Sequence, residues 1–245
     1  MQRTCAITCL WDATFYLQKK NKSVKASDTE GVEAFLEEHR DVVKCIGEVG
    51  LDFTQHYKIT SDDIVVQKEV LAKHIIWAKQ FGLPMTVHSR AATGDTIDFL
   101  VQNNADRVAL HAFNGNLEEA LRGLKAGFFF SIPPSFTAGD HYDFRYSTVQ
   151  GGLSKASWLV KMRKWKKRFL IEAIPMEKLL LETDSPVLGP VRGERNEPAN
   201  LKLSAEFIAE VRARRLAWSE VQFLRPTQTL HFSIEPQLRL ALQPS

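Results

Sequence analysis

The sequence has few cysteines, three in 245 residues, and no C-x-x-C pair. Neither a disulfide scaffold nor a zinc finger fits this count and spacing, because both need paired or clustered thiols. Sparse cysteines of this kind are typical of the reducing interior of a cell, so we expect an intracellular protein, in the cytoplasm or nucleus. No apolar run approaches the roughly 20 residues that a membrane span requires, and we expect no membrane partner.

A strong secretory signal is also lacking. The apolar stretch at residues 5–11 is short, and the acidic Asp12 interrupts it, so we do not expect secretion. The composition is that of an ordinary globular protein, 44% hydrophobic and 25% charged. Its length suits one α/β barrel of about 250 residues. The net charge of +3 is compatible with a polyanionic substrate but does not by itself indicate one.

Strand-like and helix-like patterns alternate along the chain, at a spacing that predicts a parallel sheet with crossover helices. The fold class is therefore α/β. We expect no regular structure in the region from about 138 to 167. The predicted strands are 42–49, 83–87, 107–111, 128–132 and 179–182, and the main predicted helices are 28–41, 64–81, 95–103, 117–126 and 204–215.

Four of the short apolar runs end on a residue that can bind a metal. These residues are Glu48, His88, His111 and Asp184, and they suit borderline divalent cations such as zinc or manganese. Barrels of the (β/α) type gather their catalytic side chains at the same ends of their strands. The pattern therefore predicts a metal centre.

The chemistry of such a centre assigns a role to each residue. Glu48 suits a bridge between two cations, because a carboxylate has two oxygens, and such a pair can activate water and clamp a phosphate. His88 and His111 would complete one metal shell, while Asp184 would bind the other metal or deprotonate the attacking water. Arg90 lies two residues beyond His88, points the same way along the strand, and could hold a phosphate oxygen.

Each residue also has a simpler structural interpretation. A single histidine at a strand end is most often structural or solvent-exposed, and Glu48 between two glycines could line a turn. Asp184-Ser185-Pro186 is a common turn sequence. Their joint placement at four strand ends favours the metal centre, because chance would scatter them over both ends of the strands.

Five ordered segments carry longer motifs: IGEVGLDF at 46–53, LPMTVHSR at 83–90, LHAF at 110–113, LETDSP at 181–186 and RNEPAN at 195–200. These segments resemble the TatD family of metal-dependent deoxyribonucleases. The resemblance covers about residues 33–136 and 169–212. It implies a TIM (β/α)8 barrel of the metal-dependent amidohydrolase type, with two divalent cations (Zn, Mn or Mg) that hydrolyse phosphodiester bonds of DNA.

The resemblance also assigns residues by position. Glu48 would bridge the two metals, the two strand-end histidines would bind the second metal, and Asp184 would bind the first. Glu48 and Asp184 are the expected catalytic residues. Arg90 and Asn196 would bind substrate, and Glu182 would contact the metal ligands without binding a metal itself.

The family opens with a His-x-His motif on its first strand, whereas residues 1–47 contain only His39. The barrel is therefore expected to lack its first strand or strands, and the first metal would keep too few ligands for a tight site. We expect three parts: a disordered lead segment at 1–27, a truncated barrel domain at 28–215 with an insertion at 139–167, and an atypical tail at 216–245.

Three functions stay open at this point. The leading interpretation is a TatD-type deoxyribonuclease, a monomer that acts on DNA, with its activity in question without the first histidine pair. A non-catalytic, truncated variant that binds metal or partners is the second. A metal hydrolase of amide or ester substrates is the third, because this fold does not fix the chemistry.

Overall fold

The computed structural model describes residues 23–55, 58–137, 166–187, 189–191 and 193–218. The chain divides into two compact units between Phe130 and Ser131. Most of the predicted lead segment and tail, and nearly all of the predicted insertion, lie outside the described residues. No helix among the described residues is both long and apolar enough to cross a membrane.

The first unit is built on parallel strands that lie side by side in chain order. Each neighbouring pair is in parallel register, so a helix on one side of the sheet must connect each strand to the next. This confirms the α/β class and the parallel sheet predicted from the alternating pattern. The strands are β1 (Ile46–Asp52), β2 (Met85–Arg90), β3 (Val108–Leu110) and β4 (Phe129–Ile132), of which β4 ends in the second unit.

The described part of this unit has four α-helices: α1 (Val32–Glu38), α2 (Ser61–Phe81), α3 (Thr93–Gln102) and α4 (Leu117–Lys125). The longest, α2, starts with a capping box in which Thr60 and Asp63 satisfy each other's backbone N–H groups, and it stops at Gly82 in the left-handed conformation. Its apolar stripe, with Val70, Leu71 and Ile75 fully buried, packs against β1.

An irregularity in β1 sets the position of Glu48. Ile46 pairs with Met85 and Val49 pairs with Val87, so β1 has one residue more than β2 across this interval. The extra residue is a bulge, a device that re-aims one side chain without ending the strand.

Close backbone contact between β1 and β2 depends on glycine. A Cβ at Gly50 would overlap the carbonyl oxygen of His88, and a Cβ at Gly47 would overlap that of Thr86. Gly47 also has a φ of 146°, which L side chains rarely adopt. The two glycines therefore let β1 lie against β2 on both sides of Glu48.

The second unit contains the end of β4, a short helix α5 at 166–173, strand β5 (Leu179–Leu181) and helix α6 (Leu201–Trp218). Strand β5 is the sheet neighbour of β4. Helix α6 packs against β5 and against the 3-10 turn Pro134–Phe136. The core of this unit is apolar and fully buried, with Leu170, Ile171, Ile174, Leu179, Phe207, Ile208 and Val211.

Several predicted boundaries are wrong. Strand β1 runs from Ile46 to Asp52 instead of from 42 to 49, and β2 runs to Arg90 instead of ending at 87. Both strands extend further because their charged ends pair with each other. Helix α6 begins at Leu201, after the 3-10 turn Pro198–Asn200, instead of at 204, and Ser204 is a buried residue within the helix.

One buried histidine has no part in the predicted site. His74 on α2 is fully buried, its Nδ1 lies 2.8 Å from the carbonyl oxygen of Val70, and its ring meets Trp77 edge to face at 5.0 Å. Its Nε2 has no hydrogen-bond partner among the described residues. Burial lowers the pKa of His74 below its ordinary 6.5, although the bond to Val70 acts in the opposite direction.

We expect Gly50→Ala to destabilise the protein by about 3 kcal/mol, because the added methyl group must push two strand backbones apart. Gly127→Ala is the matched control. Gly127 also has a positive φ, 84°, but open space around it, so only a backbone cost of about 1 kcal/mol applies. Urea unfolding of both variants measures the difference, and equal losses would contradict the close contact at Gly50.

We expect His74 to make the protein less stable as the pH falls below 6.5. The unfolded chain takes up a proton on this side chain near its ordinary pKa, whereas the folded protein does so only at lower pH, so acid favours unfolding. The contribution is complete at pH values well above 6.5 and is lost as the pH falls through 6.5 toward the lower pKa of the folded protein.

Urea unfolding at pH 7.5 and 5.5 checks this, with His74→Leu as the comparison. The variant should lose less stability than the wild type over the same interval, because it has no side chain at 74 to take up the proton. An identical pH dependence in both proteins would rule out His74 as the group responsible.

Candidate metal centre

Three of the predicted ligands meet on neighbouring strands of the first unit. Glu48 lies on the bulge of β1, His88 lies within β2, and His111 directly follows β3. Each was predicted to end an apolar run, but Glu48 and His88 lie inside strands that run on to Asp52 and Arg90, and only His111 follows its strand directly. The register of β2 and β3 pairs Val87 with Leu110, which places the two histidines side by side. The backbone N–H of His111 continues this ladder and donates to the carbonyl oxygen of Val87 at 2.8 Å.

The ligand atoms of these residues converge. The Oε1 atom of Glu48 lies 2.8 Å from Nδ1 of His88 and 3.5 Å from Nε2 of His111. Each residue offers one ligand atom such that all three atoms lie within 4.8 Å of one another. The side chains are 12–19% exposed, so the cluster is largely withdrawn from water and still reachable.

The hydrogen bonding of His88 tests whether this cluster suits a cation. Within the described part of the chain, both ring nitrogens of His88 are buried and neither has a hydrogen-bond partner, despite the short distance from Nδ1 to Glu48. Buried polar atoms without partners are costly and therefore rare in proteins. A divalent cation bound by imidazole nitrogen and carboxylate oxygen would remove this cost for the one ring nitrogen that it binds. The residues present fit such a cation.

Backbone conformations near the predicted site residues are unusual. Ala91 and Ala112, which directly follow Arg90 and His111, have φ values of 54° and 44°, and Asp184 itself has a φ of 58°. A residue other than glycine in this left-handed region costs about 1–3 kcal/mol, and such residues cluster at functional sites. The strain supports a function for the segments that carry the candidate residues.

Arg90, predicted to bind substrate, forms an ion pair at the end of β2. Its Nε and Nη2 atoms donate to Oδ2 of Asp52 at 2.9 and 2.5 Å. The Asp52 side chain is fully buried, whereas that of Arg90 is 35% exposed. Asp52 and Arg90 also face each other in the register of the two strands. The guanidinium is therefore held in one place while part of it remains accessible.

Asp52 is itself fixed by its neighbours. Its second carboxylate oxygen, Oδ1, accepts from the backbone N–H of Thr54 at 2.9 Å and from the Thr54 hydroxyl at 2.5 Å. The buried side chain of Gln67 on α2 bonds both the N–H and the C=O of Asp52. Burial acts to raise the pKa of Asp52, but the hydrogen bonds from Arg90 and Thr54 outweigh it and lower the pKa below 3.8.

The second unit holds the other two acidic candidates, Glu182 and Asp184, in the segment that follows β5. Ser131, near the end of β4, donates its hydroxyl to Oε2 of Glu182 at 2.6 Å. The backbone carbonyl of Asp184 accepts a turn hydrogen bond from the N–H of Val187 at 2.8 Å. The assignment of Asp184 as a metal ligand and of Glu182 as its support stays a prediction.

Asn196, predicted to bind substrate, is 1% exposed. Its side-chain N–H groups donate to the carbonyl oxygens of Thr183 and Val187. Its side-chain oxygen accepts from the N–H of Glu197 at 2.9 Å and from the side chain of Asn200 at 2.8 Å. The structure thus hydrogen-bonds Asn196 to the backbone on both sides of Asp184.

Sequence reasoning missed three residues that hold the candidate side chains: Asp52, Gln67 and Ser131. Asp52 gave no local signal, because Asp52 and Arg90 both lie beyond the predicted strand ends at 49 and 87 and pair only across the folded sheet. Gln67 lies in an apolar helix face and Ser131 within an apolar strand, and neither position shows its partner from the sequence.

The fold and the cluster define a class: an α/β protein of the metal-dependent barrel type. Comparison with known proteins gives the family, because the sequence model of "TatD related DNase" matches residues 16–148 and 145–230. The chain belongs to this family. The human protein named "Deoxyribonuclease TATDN3" is 36% identical over 222 residues, which are 91% of this chain and 70% of the human one.

A Bacillus subtilis protein named "Uncharacterized metal-dependent hydrolase YabD" is 35% identical and covers 72% of this chain, which spans 60% of the bacterial protein. Among solved structures, the Escherichia coli TatD homologue YjjV has a TM-score of 0.58 at 23% identity. The superposition covers 77% of this chain and 64% of the YjjV chain. This likeness shows the fold, the TIM barrel of TatD proteins, of which the described residues form five strands.

We expect Asp52→Asn to destabilise the protein by about 1–2 kcal/mol at pH 7, because it replaces a charged acceptor of Arg90 and Thr54 with an amide. The partial exposure of Arg90 keeps the loss below that of a fully buried pair. Thr54→Val, which removes one hydrogen bond to Asp52 and leaves the ion pair, should cost about 1 kcal/mol or less. Urea unfolding measures both, and an Asp52→Asn variant as stable as the wild type would contradict this role.

Proposed function

We propose that this protein is a metal-dependent deoxyribonuclease that hydrolyses phosphodiester bonds of DNA. The observation that carries the proposal is the convergence of Glu48, His88 and His111, with a buried ring nitrogen of His88 that a cation would satisfy. Family membership supports it, as do the human relative named a deoxyribonuclease and the bacterial relative named a metal-dependent hydrolase.

We propose that two divalent cations (Zn, Mn or Mg) are bound, with Glu48 as the bridge, His88 and His111 on one cation and Asp184 on the other. When bound, such cations neutralise charge on the phosphate and make water a better nucleophile. The carboxylate of Asp184 would accept the proton that the attacking water loses. Glu182, whose carboxylate accepts a hydrogen bond from the Ser131 hydroxyl, would be a supporting residue of Asp184.

Arg90 would bind a phosphate oxygen of the DNA backbone. A guanidinium has five N–H groups in a planar fork, and Asp52 engages the Nε and Nη2 groups. The buried Asp52 would hold this fork at a fixed position, so that binding phosphate requires little further ordering of the side chain. The mildly basic charge of the chain, +3, is compatible with a polyanionic substrate.

Further features of the proposal come from the sequence. DNA is the proposed partner, the protein would act as a monomer, and the sparse cysteines favour an intracellular setting. A metal hydrolase of amides or esters would use the same ligands, and a metal-binding variant without activity would keep them too. The name of the human relative favours DNA cleavage over both.

We expect Glu48→Ala to lower both the metal content and the rate of DNA cleavage by at least about 100-fold, because even outer contacts of metal ligands are worth 10–100-fold in affinity. Glu118→Ala, an exposed glutamate of α4 in the same unit, is the control and should behave as the wild type. Metal content is measured by mass spectrometry and cleavage on a labelled oligonucleotide, in the presence of Mn²⁺ or Mg²⁺.

Cleavage that survives Glu48→Ala unchanged would contradict the proposed site. Metal binding with no cleavage of DNA by the wild type would favour the non-catalytic variant. Turnover of ester or amide substrates alone would favour the third function. Glu48→Gln, which keeps the shape of the side chain and removes its charge, separates loss of a ligand from loss of packing.

A further inference from the structure

Asn196 has no side-chain hydrogen-bonding capacity left for a substrate. An amide side chain offers two N–H donors and an oxygen with two lone pairs. Both donations go to backbone carbonyl oxygens, of Thr183 and Val187, and the oxygen accepts two hydrogen bonds from Glu197 and Asn200. With its side chain also 1% exposed, Asn196 is a structural centre of its own segment.

The bonds of Asn196 bracket Asp184. Thr183 lies directly before Asp184 and Val187 lies three residues after it. Between them, the Ser185 hydroxyl donates to the backbone carbonyl of Asn196 at 2.9 Å, and the N–H of Asn196 donates to the carbonyl oxygen of Pro186 at 3.0 Å. Asn196 therefore bonds to every residue of 183–187 except Asp184 itself.

Asp184 needs such support because of its backbone. Its φ of 58° lies in the left-handed region, which costs a residue other than glycine about 1–3 kcal/mol and persists only where the surroundings hold it. The turn bond from Val187 to the carbonyl of Asp184, at 2.8 Å, belongs to the same held segment. Without the bonds to Asn196, this segment could relax to a conformation that turns the Asp184 side chain elsewhere.

We propose that Asn196 is a positioning residue for Asp184: it fixes residues 183–187 so that the Asp184 carboxylate is held in the orientation that binds a metal ion. The proposal rests on the proposed role of Asp184 as a metal ligand. In this proposal Asn196 does not contact DNA. It bonds to residues 183–187, the segment that carries the proposed metal ligand Asp184. Buried groups that orient metal ligands commonly change metal affinity by 10–100-fold when they are removed.

The test is Mn²⁺ titration of the full chain, followed by electron paramagnetic resonance of the free ion. Asn196→Asp keeps the acceptor oxygen but removes both N–H donors, and we expect it to weaken Mn²⁺ binding by about 10-fold. Asn200→Ala is the matched control, because it removes one bond to the Asn196 oxygen and leaves all bonds to 183–187. It should change the affinity less than about 2-fold.

A double-mutant cycle separates positioning from general destabilisation. In an Asp184→Asn background, Asn196→Asp should have almost no further effect on Mn²⁺ affinity, because the ligand it positions is gone. An effect as large in that background as in the wild type would overturn the proposal. Unchanged Mn²⁺ affinity in Asn196→Asp, together with weaker binding of DNA, would overturn it in favour of a substrate contact.

Two further outcomes are distinguishable. If Asp184→Asn alone leaves Mn²⁺ binding unchanged, Asp184 is not a ligand, and this part of the proposed function fails together with the positioning role. If Asn196→Asp does not fold, Ser185→Ala serves instead, because it removes only the bond from the Ser185 hydroxyl. A smaller loss of Mn²⁺ affinity, again absent in the Asp184→Asn background, is then expected, and no loss would contradict the proposal.

Discussion

The close approach of β1 and β2 is the constraint on which the metal centre depends. Two glycines, at 47 and 50, let the backbones of the strands touch at positions where any Cβ would overlap a carbonyl oxygen. The bulge between Ile46 and Val49 adds one residue to β1 and turns Glu48 toward His88. A carboxylate and an imidazole thus come within 2.8 Å because of the backbone geometry, before any cation is considered.

Buried groups that hold candidate side chains occur in both units. In the first unit, Asp52 takes two hydrogen bonds from Arg90, and Gln67 and Thr54 in turn fix Asp52. In the second unit, Asn196 holds the segment around Asp184. In each case a buried polar side chain forms several hydrogen bonds within the protein: Asp52 thereby fixes Arg90, and Asn196 fixes residues 183–187. Such preorganisation reduces the ordering that binding a ligand would otherwise require.

The sequence predicted the alternation of strands and helices because each helix shows a continuous apolar stripe and each strand a short apolar run. It also predicted the convergence of Glu48, His88 and His111, since ends of parallel strands share one edge of a sheet. The boundaries of β1 and β2 could not be predicted, because Asp52 and Arg90 are charged and read as loop. Their pairing across the sheet is a tertiary contact that no local pattern reveals. The structure likewise places the amide of Asn196 among backbone carbonyls of its own segment, whereas the resemblance to the family implied a contact with substrate.

X-ray absorption spectroscopy of the zinc-loaded protein can test whether Glu48, His88 and His111 bind a cation, because it reports the atoms around the cation itself. We expect a nearest shell of nitrogen and oxygen only, at about 2.0–2.1 Å, with outer-shell scattering from imidazole rings. A sulfur shell at about 2.3 Å, as cysteine would give, or the absence of imidazole scattering would contradict a centre built on Glu48, His88 and His111.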